Sequence, residues 1–400
     1  MSTPFYDLAS LVVVPSGYKT SKVYAQKPLT TDGQLAFSRA STATRVNASG
    51  LIESVASGVP RLDYLGSTCP KLLLEPQRTN SILDSNSFAT WGGSNFTITT
   101  GQSNWDGSTR ASLLTTAVSG FQINQSATLT GNTSFSIYAK KGSVNGVCLY
   151  SSSAGQGKHF NLDTGGLGSD FVAAPVSASM QNLGSGWYRC TIVANSAGSG
   201  TWRVYTSNGI STNVAGSITI SDAQVELGSY PTSIITTTTA AVTRLADAAY
   251  KTGISSLIGQ AEGTLFADIQ ATTTGYWYIS LSSGSNANWV FVGQDVTTGS
   301  KLRAFFRAGS VTYADIFSGV ITSGRYKMAI AYKANDIAFY VNGVQIGTDS
   351  SAVMATGLNN FYISSPNASG GDQAITGAVN QTLLFKTRLT NAQLAELTTL

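Results

Sequence analysis

The chain has 400 residues, of which 42% are hydrophobic and only 11% charged, and its net charge at neutral pH is +4. That charge is too small for the length to support nucleic-acid binding, and no basic run stands out. Ordinary soluble domains carry about 25% charged residues, so here the polar surface must come from Ser, Thr, Asn, Gln and Gly, the mix of β-sheets joined by turns. The length suggests two or three domains. The three cysteines, Cys69, Cys148 and Cys190, are an odd, sparse set and not a disulfide framework. Cys148 in GVCLY and Cys190 in YRCTI sit in strand-like runs and are expected as small buried hydrophobes. The opening MSTPFYDLASLVVVPSGYK has no basic leader and an apolar run of only Leu11 to Val14, so neither a signal peptide nor a membrane span is expected there.

Residues 1–79 read as short strands and turns. A brief apolar run stops at Pro15 and Gly17, and a Thr30-Thr31-Asp32-Gly33 turn follows. Then come FSRASTATRVN (Phe37 to Asn47), GLIE (Gly50 to Glu53), VPRLDY (Val59 to Tyr64) and LLLEPQRTN (Leu72 to Asn80). Arg39, Arg45, Arg61 and Arg78 are expected to pair with Glu53, Asp63 and Glu75 as ordinary surface ion pairs, individually worth little. This ordered set of blocks resembles the N-terminal region of tailed-bacteriophage fibre, spike and appendage proteins. The resemblance implies a virion protein whose residues 1–79 attach it to other virion proteins. It also reconciles an extracellular type of composition with the lack of a secretion signal: such a protein is assembled in the host cytoplasm and works outside after lysis.

Residues 80–236 read as an all-β unit. Strand candidates are Phe96 to Ile98, Phe135 to Lys140, Val147 to Tyr150, Trp187 to Val193, Trp202 to Tyr205 and Ile218 to Ile220, separated by Gly, Ser and Asn clusters. This spacing suits an antiparallel sandwich or jelly roll. TSFSIYAK, GWYRCT and ISDAQVELGSYPTS resemble carbohydrate-binding-module-like jelly rolls, which implies glycan binding. The uncharged run Ile234-Ile235-Thr236-Thr237-Thr238-Thr239-Ala240-Ala241 is expected as a stiff, extended linker, its β-branched side chains restricting the backbone.

In residues 237–400 the clearest pattern is RYKMAIAYKANDIAFYVNGVQIGT, Arg325 to Thr348. Met328, Ile330 and Tyr332 alternate with alanines, and Ile337, Phe339 and Val341 repeat the period of two. Asn342-Gly343 predicts a type I′ hairpin, since both residues tolerate positive φ. DIAFYVNGV, together with EGTLFADI (Glu262 to Ile269) and a closing GAV…LLF…LTNAQL (Gly377 to Leu394), resembles the concanavalin A-like lectin/glucanase superfamily in its laminin-G-like or pentraxin-like branch. The resemblance implies a β-sandwich ending in a short helix, and it is weak for activity because one fold hosts many functions.

Motifs that carry catalytic chemistry are mostly absent from the sequence. The glucanase branches of that superfamily carry clustered carboxylates, and a glycosidase needs two carboxyls flanking the bond; no such cluster appears. The single histidine, His159, has no nucleophile motif near it and is expected as a surface or strand residue. No Walker loop, dinucleotide fingerprint or zinc spacing exists. A structural Ca²⁺ is compatible with Asp295, Asp349 and Asp372 in turn-like stretches, although Asp favours turns in any case; no other cofactor is expected. Aromatics remain, because flat rings stack on the C–H faces of sugars. Trp91 in WGGSN, Trp105 in SNWDGS, Tyr276, Trp277 and Trp289 are the candidate glycan contacts.

The expectation is therefore an all-β protein: an N-terminal attachment segment (1–79), a jelly roll (80–236) and a concanavalin A-like sandwich with a short terminal helix (237–400). Its expected role is a non-enzymatic fibre or spike of a bacteriophage virion that contacts host surface glycans, without nucleic-acid binding or membrane insertion. Low charge permits wide subunit contacts, and phage fibres are commonly trimeric, so a homotrimer is expected. A decoration or connector without ligand and a polysaccharide-depolymerising glycosidase are the alternatives.

Overall fold

A computed structural model describes residues 4–272, 277–296, 299–363 and 377–400. The Arg325 to Thr348 pattern forms the strands expected of it. Met328, Ile330 and Tyr332 lie opposite Val341, Phe339 and Ile337, and Asn342 and Gly343 both turn with positive φ, 48° and 83°. Both faces of the first two strands are buried, however. Met328, Ile330, Tyr332, Ile337 and Phe339 enter the main core. Ala329, Ala331 and Ala338 form a second layer with Phe266, Leu383, Leu394 and Leu397. The small alanine side chains let the terminal helix Asn391–Thr398 lie close against this outer face. That helix starts at a capping box, in which the Thr390 hydroxyl accepts from the Gln393 N–H and the Gln393 side chain accepts from the Thr390 N–H.

The chain divides into two units. Unit one comprises residues 1–48, 54–77 and 245–400, and unit two comprises 49–53 and 78–244. Unit one is a two-sheet sandwich. Its first sheet runs in the order Val344–Asp349, Asp336–Val341, Gly324–Lys333, Glu262–Ala271, Gly377–Phe385, Lys71–Leu74, Arg61–Asp63, with Leu11–Val13 also paired to Gly377–Phe385. Its second runs Tyr18–Lys19, Lys22–Tyr24, Gln34–Ser38, Ala248–Lys251, Asn360–Ile363, Trp277–Ser282, Trp289–Asp295, Lys301–Ala308, Val311–Val320. Alternate residues such as Leu265, Ile269, Ile279, Val290, Val292 and Phe306 meet between the sheets.

The expected three-part division needs correction on this point. Residues 1–79 are not a segment separate from 237–400, because their strands complete both sheets of the C-terminal sandwich. The chain leaves that sandwich after Gln77, builds unit two, and returns at Leu245. The supposed linker also belongs to unit two. Ile234 and Ile235 are buried, and Thr237 donates from its backbone N–H to Ser85 Oγ and from its hydroxyl to the Ile82 carbonyl.

Two of the four arginines in the N-terminal blocks, Arg39 and Arg61, are interior, not surface, residues. Arg39 Nη1 lies 2.9 Å from Asp247 Oδ1, Arg61 Nη1 lies 2.7 Å from Glu75 Oε2, and Arg61 Nη2 binds the other Asp247 oxygen. All four residues are buried. Burial opposes the Arg61 charge, but the carboxylates of Asp247 and Glu75 outweigh it and hold the guanidinium firmly protonated. Asp247 is the partner missing from the sequence reading, since it lies 186 residues from Arg61. Asp63 accepts instead from the backbone N–H groups of Val46 and Leu65, and burial raises its pKa.

Unit two is a second all-β sandwich built on two long strands, Gln122–Lys141 and Trp187–Ser207, which pair along their whole length. Their two halves have different neighbours. Residues 123–124 and 202–207 lie among Gly92–Gly93 and Gly146–Ser151, followed by Gln156–Asn161 and Gly166–Val172. Residues 133–141 and 187–193 lie between Gly216–Leu227 and Ser177–Gly184, with Ala111–Thr116 and Phe96–Gln102 beyond the former. Gly131 and Gly198, at φ 98° and 121°, sit at the changeover, where an ordinary side chain would be strained. Ile123, Phe135, Leu149, Phe160, Cys190, Ile192, Trp202 and Val204 fill the interior.

Candidate glycan-contacting faces

The expected aromatic contacts fall in different surroundings. Trp91 is a core residue: it is buried, its Nε1–H donates to the Leu83 carbonyl at 2.9 Å, and its ring meets Phe88 edge-on. Trp105 lies flat on Tyr138, with ring centroids 5.4 Å apart and planes 9° apart. Arg189 covers the Tyr138 ring as well, at 5.2 Å. Trp105 thus belongs to a small satellite cluster with Ala111, Trp187 and Ile234. Tyr276 is outside the described residues. Trp277 begins the strand Trp277–Ser282. Trp289 is half-buried at the rim of an aromatic cluster with Tyr278, Phe291 and Phe305.

That cluster is the outer face of the second sheet of unit one. Strand register places Tyr278, Gly293, Arg303 and Phe317 in one row and Ser280, Phe291, Phe305 and Asp315 in the next. Arg303 closes the face. Its guanidinium lies 5.4, 5.2 and 5.0 Å from the ring centroids of Phe291, Phe305 and Phe317. It is held by Asp315 at 2.6 and 2.9 Å and by Asp295 at 3.3 Å. The buried rings are therefore capped by an arginine whose charge is already matched. Asp295, one of the three acids weighed for Ca²⁺, is part of this pairing. Asp349 accepts from the N–H and hydroxyl of Ser351 in its own turn, and Asp372 lies outside the described residues. Among the described residues no group of three or more His, Cys, Asp or Glu side chains is placed to hold a metal.

The outer face of unit two is different. There the register sets two adjacent rows. One runs Asn124, Arg203, Tyr150, Gly157, Phe171, and the other runs Gln122, Tyr205, Cys148, His159. Sequence alternation explains the sidedness, since Val147, Leu149, Trp202 and Val204 point inward while the residues between them point out. Gly157 is required between Tyr150 and Phe171. A Cβ there would come within 2.6 Å of the Leu149 carbonyl and 3.1 Å of the Tyr150 ring. Without it, the two rings meet edge-on at 5.3 Å. Phe171 also touches Tyr205 at 5.3 Å and His159 at 5.7 Å. Tyr150, Phe171, Arg203, Asn124 and Gln122 are half-buried, so the shelf carries partly open rings beside amides and a guanidinium. At its edge Val172 adopts φ 65° and is 75% exposed, a strained conformation for a β-branched residue.

Beneath the shelf, His159 is fully buried, with Nδ1 2.7 Å from Ser207 Oγ. It is a strand residue, and among the described residues its Nε2 has no hydrogen-bond partner. Burial and the nearby Lys158 hold its pKa below the ordinary value. Ser207 is equally buried and is engaged by the Gly209 N–H and the Thr212 carbonyl, so this serine–histidine pair faces no solvent. Burial likewise raises the Tyr205 hydroxyl, against the opposing effect of Arg203. Tyr150, Phe171, Arg203 and Tyr205 are not among the aromatics and charges that the sequence makes conspicuous. For Tyr150, Arg203 and Tyr205 the signal is the outward half of the alternation in GVCLY and WRVYT, which becomes a site only once the strands are placed side by side, with Phe171 on the strand beyond.

No family model matches the sequence, and no curated protein matches it. In structure the chain is similar to the carbohydrate-binding module CBM40 of the Ruminococcus gnavus IT-sialidase, bound to alpha2,3 sialyllactose. That likeness has 13% identity over 36% of this chain and 84% of the other, with a TM-score of 0.31. It is also similar to domain 4 of AbnA, an extracellular arabinanase of Geobacillus stearothermophilus in complex with arabinotriose (16% identity, 40% of this chain, 77% of the other, TM-score 0.32). A third likeness is to a heptameric SAP-like pentraxin from Limulus polyphemus (14% identity, 34% of this chain, 68% of the other, TM-score 0.27).

Proposed function

We propose that this chain is a non-enzymatic glycan-binding appendage of a bacteriophage virion, and that unit two makes the contact through the Tyr150–Phe171–Tyr205 shelf. The observation that carries the glycan reading is the coincidence, on one sheet face, of partly open aromatic rings with Asn124, Gln122 and Arg203. Rings take the apolar faces of sugars, while amides and guanidinium bond the hydroxyls. The virion assignment is supported by the FSRASTATRVN, GLIE, VPRLDY and LLLEPQRTN blocks. Attachment to other virion proteins is assigned to unit one, because FSRASTATRVN, VPRLDY and the LLLEPQ part of the last block belong to it, whereas GLIE lies in unit two. A homotrimer would add avidity to individually weak sites.

A glycan array probed with the full chain tests the binding. Tyr150→Ala and Phe171→Ala are each expected to weaken binding to the array hits by at least about tenfold, from loss of the ring contacts, while Trp289→Ala leaves it unchanged. Hits that survive both shelf substitutions would refute the assignment. Light scattering on the purified chain tests the trimer; a monomer at all micromolar concentrations would count against it.

A further inference from the structure

We propose that the shelf of unit two takes a carboxylate-bearing sugar, with Arg203 as the residue that grips the carboxylate. The inference rests on the glycan reading above and adds the ligand class. A guanidinium has five N–H donors. In Arg203, Nε donates to Thr201 Oγ1 at 2.8 Å and Nη1 to the Tyr205 hydroxyl at 3.4 Å. These bonds fix the plane over the Tyr150 ring, with the guanidinium carbon 5.5 Å from its centroid. The Nη1/Nη2 end keeps donors for a ligand. Among the described residues no carboxylate forms an ion pair with Arg203, in contrast to Arg303 on the outer face of unit one, which has Asp315 and Asp295.

The surroundings make that charge count. Neither row of the shelf contains an acidic residue. The nearest strands carry one lysine and one aspartate, Lys158 and Asp170, which neutralise each other at 2.8 Å. Arg203 is thus the shelf's net charge. An arginine fork held by two hydrogen bonds and a ring is pre-organised for the planar, two-oxygen geometry of a carboxylate. Asn124, directly across the strand from Arg203, supplies an amide for a neighbouring hydroxyl. The half-exposed Tyr150 and Phe171 rings lie beside the guanidinium to take the C–H face of the same sugar.

The test uses the full chain on an array of oligosaccharides ending in glucuronate, galacturonate or sialate, each printed beside its methyl ester, with neutral glycans alongside. Hits are then titrated by calorimetry. A charge-assisted carboxylate grip predicts that the free acid binds about tenfold or more tightly than its ester. Arg203→Gln is expected to erase that difference, lowering the affinity for the acid more than that for the ester, and Arg203→Lys to restore part of it. Thermal melting of each variant confirms that the fold is kept. Equal affinity for acid and ester in the unmodified protein overturns the inference, as does a preference that survives Arg203→Gln. Binding confined to neutral glycans overturns it and leaves the glycan reading standing. Binding to no glycan at all overturns both.

Discussion

Replacing Asp247 by Asn should destabilise unit one severely, although Asn has nearly the same shape. The Asp247 carboxylate meets Arg39 Nη1 at 2.9 Å, binds Arg61 Nη2, and accepts the Glu75 backbone N–H at 2.9 Å. With Glu75 at 2.7 Å from Arg61, the cluster holds two positive and two negative charges, all withdrawn from water. The substitution leaves one buried positive charge without its counter-ion. Breaking a buried pair in this way costs about 3–5 kcal/mol, more than the pair itself contributes relative to an apolar filling. With a urea dependence of about 2 kcal/mol per molar, the unfolding midpoint would fall by about 2 M. Adding Arg61→Met to Asp247→Asn restores neutrality with Arg39 and Glu75, so the double variant should be more stable than the sum of the two single losses predicts, by about 1–3 kcal/mol. The assay is urea unfolding followed by circular dichroism. A loss below about 1 kcal/mol for Asp247→Asn, or strict additivity in the cycle, would refute the claim that these four charges act as one dry network.

Two further outcomes can be measured on the unmodified chain. His159 is the single histidine, so its imidazole resonance can be followed without assignment. Burial and Lys158 lower its folded pKa, so the unfolded ring takes a proton below about 6.5 where the folded ring does not. Its contribution to stability is therefore present above pH 6.5 and is lost as pH falls toward the folded pKa; an NMR midpoint at or above 6.5 contradicts this. Cys69 is exposed while Cys148 and Cys190 are buried, and burial pushes both buried thiols well up. Ellman's reagent should therefore find one thiol in the folded protein and three in denaturant, and two or more reacting rapidly before unfolding would show that the interior is open.

The sequence discloses what is local. The period-two runs, the Asn342-Gly343 turn and the Thr390 cap each depend on residues within a few positions of one another, and each forms as its pattern implies. What it conceals is closure over distance. Residues 1–79 carry no hint that Leu11–Val13 will pair with Gly377–Phe385, or that Gln34–Ser38 will lie beside Ala248–Lys251. Reading contiguous blocks as domains therefore separates two halves of one sandwich. The clue was present in chemistry, not periodicity. Arg39, Arg61 and Glu75 lie in apolar contexts where unpaired charges are costly, and their counter-charge had to come from somewhere. It comes from Asp247, immediately after the chain returns from unit two.

The same limit explains why the tryptophans misdirect a search for the binding face. Tryptophan is prominent in sequence because it is rare and large, yet size is what draws Trp91 and Trp202 into the core. A sugar platform needs rings of moderate area whose outer faces stay partly open, and these are unremarkable in sequence: a Tyr after Leu149, a Phe before Val172, an Arg between Trp202 and Val204. Their meaning arises from register. Tyr150 lies across from Arg203 on one side and Gly157 on the other, and the missing Cβ of Gly157 is what brings Phe171 into contact with it. Gly157→Ala should therefore separate the two rings and weaken glycan binding without removing any ligand-contacting atom. Because the added methyl meets the Leu149 carbonyl at 2.6 Å, the strand must also shift, so the binding loss should come with a lower melting temperature. A variant that keeps full affinity despite that lowered stability would show that the ring pair is not the platform.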